Sequence, residues 1–492
     1  MKYNSTRGAM GFSASQAILK GLSDDGGLFV PETFPALSVD FEELSNMSYQ
    51  DIAYLVMKDY LDDFSEEELK SCINKAYDSK FDTEEIAPLT KAGDQYFLEL
   101  YHGATIAFKD MALSLLPHLL TVSMKKNNVD KEVVILTATS GDTGKAALEG
   151  FSDVEGTRIV VFYPKGGVSN IQEIQMVTTK GKNTKVIAVN GNFDDCQSGV
   201  KKIFNDPDFK EMMDSAGYQF SSANSINIGR LVPQIAYYVF AYSRMVKANE
   251  IKAGEVIDFT VPTGNFGNIL AAYFAKKMGL PVGKLICASN DNKVLFDFFK
   301  SGDYDKNRDF ILTSSPSMDI LISSNLERLI YLSAGSDSKA NKELMEQLNR
   351  SGKYTVTEEM KEYMSDFVPE YATEEQVRKT IAEIYDKYGY VIDTHTAVAA
   401  YADMKYKTES TEKRKSVIIS TASPYKFGRS VLSAIDPDFI SEDDFKMSDR
   451  LHILSKRPIP NAIESLRNAD IKHKEICDIS GMKDSVRNYL GF

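Results

Sequence analysis

Apolar residues follow two rhythms along this chain. Short β-branched runs at Glu132–Leu136, Arg158–Phe162, Lys185–Val189, Val256–Val261 and Leu285–Ala288 each end at a glycine or proline loop, and most lead into a segment of helical period. That alternation predicts an α/β fold, two open parallel-sheet lobes with helices on both faces. Strand texture returns at Ser416–Ser420, ahead of the loop T-A-S-P-Y-K-F-G. Helical period without strands marks Tyr49–Tyr60 and Ser65–Tyr77 near the start. It also marks Asn325–Leu332, Lys339–Asn349, Thr357–Met364 and Glu374–Tyr385 in a charged later stretch. The organisation expected is an N-terminal domain over 1–95, an α/β core in two lobes over 96–300 and a helical insertion over 301–390. A return to the core sheet over 391–430 and a helical tail over 431–492 complete it.

Composition narrows the function classes. A formal net charge of -13 argues against an extended nucleic-acid or anionic-membrane surface, while leaving room for a small anion pocket. The four cysteines, Cys72, Cys196, Cys287 and Cys477, show no C-x-x-C spacing, and the five histidines show no H-E-x-x-H pairing. No metal is expected. No apolar run approaches the roughly 18 residues of a membrane span, and Met1–Gly8 lacks the apolar core of a signal peptide. The reading is a cytoplasmic protein, monomer or small homo-oligomer, whose partner is a small-molecule substrate.

Chemistry gathers at four places. Lys109, in L-Y-H-G-A-T-I-A-F-K-D-M-A, has apolar neighbours Ile106, Ala107 and Phe108 at the mouth of a helix running on through Leu113, Leu116 and Leu119. A desolvated lysine is a good amine nucleophile towards an aldehyde, although an exposed lysine in a first helical turn is the commoner case. The segment Ile135–Leu148 is a strand, then T-S-G-D-T-G, then a helix, so the N–H groups and hydroxyls around Ser140, Gly141, Asp142 and Thr143 form an anion cradle. It lacks the first glycine and the final Ser/Thr of an NTPase loop. A second cradle, V-P-T-G-N-F-G-N, places Gly264, Asn265, Phe266 and Asn268 at another helix start without matching G-x-G-x-x-G. Between them, S-S-A-N-S-I-N-I-G-R offers Asn224, Ser225, Asn227 and Arg230, and arginine suits phosphate or carboxylate. An anionic cofactor meeting an anionic substrate accounts for all four.

These motifs, in this order, resemble those of the threonine synthases, pyridoxal-phosphate enzymes of fold type II. The likeness extends over S-T-R-G at Ser5–Gly8, G-L-S-D-D-G-G-L-F-V-P-E at Gly21–Glu32, H-G-A-T-I-A-F-K-D, T-S-G-D-T-G and Q-E-I-Q-M at Gln172–Met176. It continues through G-N-F-D-D-C-Q at Gly191–Gln197, S-A-N-S-I-N-I-G-R and P-T-G-N-F-G-N. The resemblance implies that Lys109 carries pyridoxal 5'-phosphate, that Gly264, Asn265, Phe266 and Asn268 hold its phosphate, and that the Thr421 hydroxyl partners its ring nitrogen. Ser140, Gly141, Asp142 and Thr143 would face the substrate carboxylate or the cofactor's phenolic oxygen. Asn224, Ser225, Asn227 and Arg230 would take the substrate phosphate. The implied reaction converts O-phospho-L-homoserine and water to L-threonine and phosphate. A phospho-lyase or serine/threonine dehydratase of the same fold, and a non-catalytic binding protein, are the alternatives. Two positions depart from the family pattern: Ala104 stands where H-G-P-T has proline, and A-S-P-Y-K-F with Ser423 stands where A-H-P-A-K-F is common.

Overall fold

A computed structural model describes residues 1–139 and 141–492. Two sheets organise it. The larger has six strands in the order Phe367–Tyr371, Val282–Ser289, Ile257–Pro262, Ser416–Ser420, Gln95–Glu99 and Leu89–Ala92, all parallel except the last. The smaller has five parallel strands, Glu475–Asp478, Thr184–Asn190, Thr157–Pro164, Glu132–Ala138 and Tyr218–Ser221. Strands buried on both faces read as continuous apolar runs rather than alternations, which is why the central strands were visible in the sequence.

The 20-residue helix Ile228–Lys247 is buried from Ile228 to Val246. A helix apolar on all sides belongs inside a core, and this one holds the N-terminal region as well. Tyr49, Ile52 and Val56 of the helix Tyr49–Met57 share its hydrophobic cluster, and the Tyr49 and Phe240 rings meet edge to face at 5.2 Å. The first 95 residues therefore share the main core instead of forming a lobe apart. Their last strand, Leu89–Ala92, is an edge of the larger sheet.

Two further boundaries differ from expectation. The stretch expected as a helical insertion contributes the strand Phe367–Tyr371, and the polar tail contributes Glu475–Asp478, each an edge of its sheet. Glu475–Asp478 alternates half-buried and exposed positions, and the buried Phe367–Tyr371 is interrupted by a proline and a glutamate, so neither reads as an apolar run. The helix expected to run from Lys109 is broken in two, Asp110–Leu113 and Leu116–Lys126, with Pro117 at the start of the second.

Candidate active site

The loops that follow strands Gln95–Glu99, Ser416–Ser420, Ile257–Pro262, Glu132–Ala138 and Tyr218–Ser221 converge at the carboxyl ends of the two sheets, where ligands of open α/β folds bind. The loop bearing Lys109 is stitched to the one bearing Thr421. Phe108 N–H donates to the Thr421 carbonyl at 2.8 Å, Ser423 N–H donates to the Ile106 carbonyl at 3.0 Å, and Ala107 bridges Ala422. Within this stitch Ile106 is buried at φ +52°, a region a β-branched residue adopts only under constraint. The loop keeps its shape without a proline at Ala104. Asp110 accepts from Thr105 N–H at 2.8 Å and from the Thr105 hydroxyl at 2.6 Å, and a side chain at Gly103 would collide with that carboxylate.

Lys109 Nζ is buried, 3.5 Å from Asp142 Oδ2 and 3.3 Å from Ser317 Oγ. Burial lowers its pKa, Asp142 opposes the shift, and the positive charges of Lys426 and Arg230 reinforce it. Asp142 opens the helix Asp142–Phe151 after Gly141, whose φ of +136° requires glycine. Its carboxylate accepts from Gln172 Nε2 at 2.9 Å and from the Ser317 hydroxyl at 3.1 Å, and pairs with Lys426 Nζ at 3.1 Å. Burial alone would raise this carboxyl. Lys426, then Lys109, the Gln172 amide and His395 reverse that and hold it far below the usual carboxylate range. Ser317 is fixed in turn: its N–H donates to His395 Nε2 at 3.1 Å, and His395 Nδ1 lies 2.8 Å from Asp393.

Arg230 is 4% exposed, and burial brings its guanidinium down to about 10. Nη1 donates to the Ala223 carbonyl at 2.9 Å, and Nε finds no partner among the described residues. The second cradle has a similar loose end. Phe266 stands at φ +64° ahead of the helix Gly267–Lys277. Asn268 Oδ1 accepts from Tyr237 and Tyr238, while its buried Nδ2 has no partner among the described residues. A Cβ at Gly264 would come within 2.7 Å of the Ser317 carbonyl, so glycine is what lets this cradle reach the Lys109 centre.

Two family profiles match the chain, one described as the threonine synthase N terminus over residues 2–77 and one as a pyridoxal-phosphate dependent enzyme over residues 84–422. The threonine synthase of Saccharomyces cerevisiae is 37% identical, across 88% of this chain and 89% of that protein. The chain belongs to the threonine synthase family. Human "Threonine synthase-like 1" is 39% identical across 92% of this chain, which spans only 61% of that relative's length. Among solved structures, yeast threonine synthase superposes with a TM-score of 0.88 at 34% identity, covering 99% of this chain and 98% of the other. The pyridoxal-phosphate-bound threonine synthase of Brucella melitensis gives 0.86 at 33% identity, covering 100% of both. The fold is that of fold-type II pyridoxal-phosphate enzymes.

The residues of this family member fit its cofactor. A buried lysine of lowered pKa suits an aldehyde, and a helix start with an unsatisfied amide donor beside a close-approach glycine suits a phosphate. Not every candidate reaches the centre. The Asn265 side chain is exposed and its Oδ1 accepts from Ser324 at 3.4 Å, while its carbonyl is held by Asn325. Asn227 differs from its expected substrate role. It is fully buried, its amide donates to the Ile18 and Ser222 carbonyls, and its Oδ1 caps Gly229 N–H, as a helix N-cap does. Asn224 is exposed and Ser225 half-buried, on the loop ahead of Arg230. Thr143 is half-buried in the first turn after Gly141, and Ser140 lies outside the described residues.

Several residues at the centre had no role assigned from sequence. Gln172 and Lys426 lie inside family-like motifs, so their positions carried a signal. Ser317 sits in the short 3-10 turn Pro316–Met318 with no motif around it. Arg328 is fully buried and joins the Phe29 and Ile226 carbonyls to Asn325, which holds the Asn265 carbonyl.

Proposed function

We propose that this chain is a pyridoxal-phosphate-dependent lyase that converts O-phospho-L-homoserine and water to L-threonine and phosphate. The observation that carries the reading is Arg230, a buried guanidinium with an unpartnered Nε, close enough to Lys109 to bear on its charge. A buried cation without a carboxylate partner is costly unless an anion arrives to meet it. A phosphorylated amino-acid substrate brings such an anion.

Bound pyridoxal phosphate supplies the electron sink. Lys109 would carry the cofactor, and Asn268 with the N–H groups of Phe266 and Gly267 would receive its phosphate. Thr421, after strand Ser416–Ser420, would partner the ring nitrogen without the full charge a carboxylate would bring. Gly141 and Thr143 present the start of helix Asp142–Phe151 to the substrate α-carboxylate. The Lys109 amine, freed when the substrate amino group takes its place, would take the Cα proton and pass it to the electron sink before taking one from Cβ. It would then return protons to Cγ as phosphate leaves and to Cα after water adds. Asp142 and Ser317, the acceptors around Nζ, hold the ammonium while it carries each proton. Arg230 grips the γ-phosphate in both ground and leaving states, and water adds at Cβ.

Incubation of the purified protein with phosphohomoserine tests this, with threonine and phosphate assayed together. Equal release of both is expected. Release of 2-oxobutyrate and ammonia instead would make the chain a phospho-lyase or dehydratase, and no product from a yellow, cofactor-loaded preparation would leave a binding protein.

A further inference from the structure

Lys426 is more deeply buried than Lys109, and the reaction above leaves it without a task. Its side chain is 1% exposed; Nζ donates to the Thr105 carbonyl at 2.9 Å and lies 3.1 Å from Asp142 Oδ1. Lys109 faces the other oxygen, Oδ2, at 3.5 Å. Lys426 thus links the loop before Lys109 to the helix start on the smaller sheet. A neutral donor would satisfy the Thr105 carbonyl at far lower desolvation cost, so the charge itself is directed at Asp142.

The charge matters because an amine attacks and takes protons only when uncharged, and a lone carboxylate beside it favours the ammonium form. The charged groups facing Lys109 are Asp142, Lys426 and Arg230. Those facing Asp142 are Lys426, Lys109 and His395, with the Gln172 amide and the Ser317 hydroxyl. Facing Lys426 are Asp142 and Asp110. Asp142 is the anion nearest Lys109 in this set, and Lys426 holds its second oxygen more closely than Lys109 holds the first.

We propose that Lys426 is a positioning residue that neutralises Asp142 and so keeps Lys109 Nζ available as the free amine. Asp142 can then orient the lysine through a hydrogen bond without trapping its proton. The inference rests on the reading of Lys109 as the cofactor lysine. That reading is checked separately by borohydride reduction of the holoenzyme and peptide mapping, where a pyridoxyl group on another lysine would refute it.

Competitive acetylation of the cofactor-free full chain over a pH series gives the titration midpoint of Lys109 without substrate or turnover. Lys426→Gln can still donate to Thr105 but carries no charge. It should raise the midpoint by about one pH unit, a roughly tenfold slower labelling at pH values below it. Lys426→Arg should restore the wild-type midpoint, and Asp142→Asn should lower it. A folded Lys426→Gln protein with an unmoved midpoint would overturn the proposal, as would failure of Lys426→Arg to restore it. If Lys426→Gln does not fold, Asp142→Asn decides the matter: a fall supports the balance described and an unchanged midpoint overturns it.

Discussion

Two buried charge clusters stand at opposite ends of the same loop, residues 100–109, and they are built on opposite rules. At its start, Glu99 is 2% exposed and every charge around it is matched. Arg457 meets both its oxygens at 3.0 and 3.2 Å, His102 Nε2 lies at 2.9 Å, Tyr390 donates at 2.7 Å, and Asp82 takes the other His102 nitrogen at 2.5 Å. At its end, Asp142 is shared between Lys109 and Lys426, while Arg230 has no carboxylate among the described residues. The matched cluster anchors the C-terminal stretch to the loop. The unmatched one keeps an excess of positive charge and two unsatisfied donors, Arg230 Nε and Asn268 Nδ2. Complete pairing suits a cluster that stabilises; incomplete pairing leaves donors that an anion would satisfy.

The largest effect should separate the two ends by chemistry. Lys109→Ala removes the covalent anchor and the base together, so threonine formation should fall by at least about three powers of ten, at the upper end of what one acid–base group contributes. Its thermal unfolding should stay close to wild type, and a loss of fold would place Lys109 with the structural cluster instead.

Arg457→Met tests the matched end. It removes the Arg457 charge from the buried Glu99 carboxylate and leaves it to His102 and Tyr390, for which about 1.5–3 kcal/mol of destabilisation is expected in a denaturant titration. A change below about 1 kcal/mol would break the comparison.

The same cluster has a pH signature. Burial opposes the charged form of His102, but hydrogen bonds to Asp82 and Glu99 and their charges raise it to about 9. Glu99, against its burial, is brought down to about 2 by the His102 hydrogen bond, Arg457 and Tyr390. The two shifts describe one pairing and are counted once. Since the folded His102 value exceeds the unfolded one, its stabilisation is full below about pH 6.5 and fades as pH rises through about 9. It amounts to about 3 kcal/mol. The stability gap between wild type and His102→Asn, measured by urea unfolding, should therefore shrink across that window, and a gap independent of pH would remove the charged pairing. The Glu99 share is lost in the opposite direction, as acid drops through about 2.

The smallest expected effect sits at the unmatched end. Arg230→Met should weaken phosphohomoserine by about 1.5–3 kcal/mol, the scale of a hydrogen bond to a charged group. The visible cofactor band should survive. Because the guanidinium is buried without a carboxylate, its removal should leave stability unchanged or improved, the reverse of Arg457→Met. Loss of the band with normal substrate affinity would exchange the two phosphate sites.

Local sequence determined the groups that act through their own backbone. T-S-G-D-T-G and P-T-G-N-F-G-N are strand-to-helix turns whose N–H groups point outward wherever such a turn forms, and the apolar runs between them specify the strands that deliver them. Lys109 stands out in the sequence as a lysine flanked by apolar residues beside such turns. The tertiary structure decided everything that depends on a partner far along the chain. Asp142 meets Lys426 and Ser317, each well over a hundred residues away, and no spacing rule links them. It also decided that Asn227 serves as a helix cap and that Arg230 stays unpaired, since burial and partnership are properties of the packed core. Strands Phe367–Tyr371 and Glu475–Asp478 are set by tertiary structure too, because an edge strand takes its place from the neighbour it pairs with, Val282–Ser289 in one sheet and Thr184–Asn190 in the other.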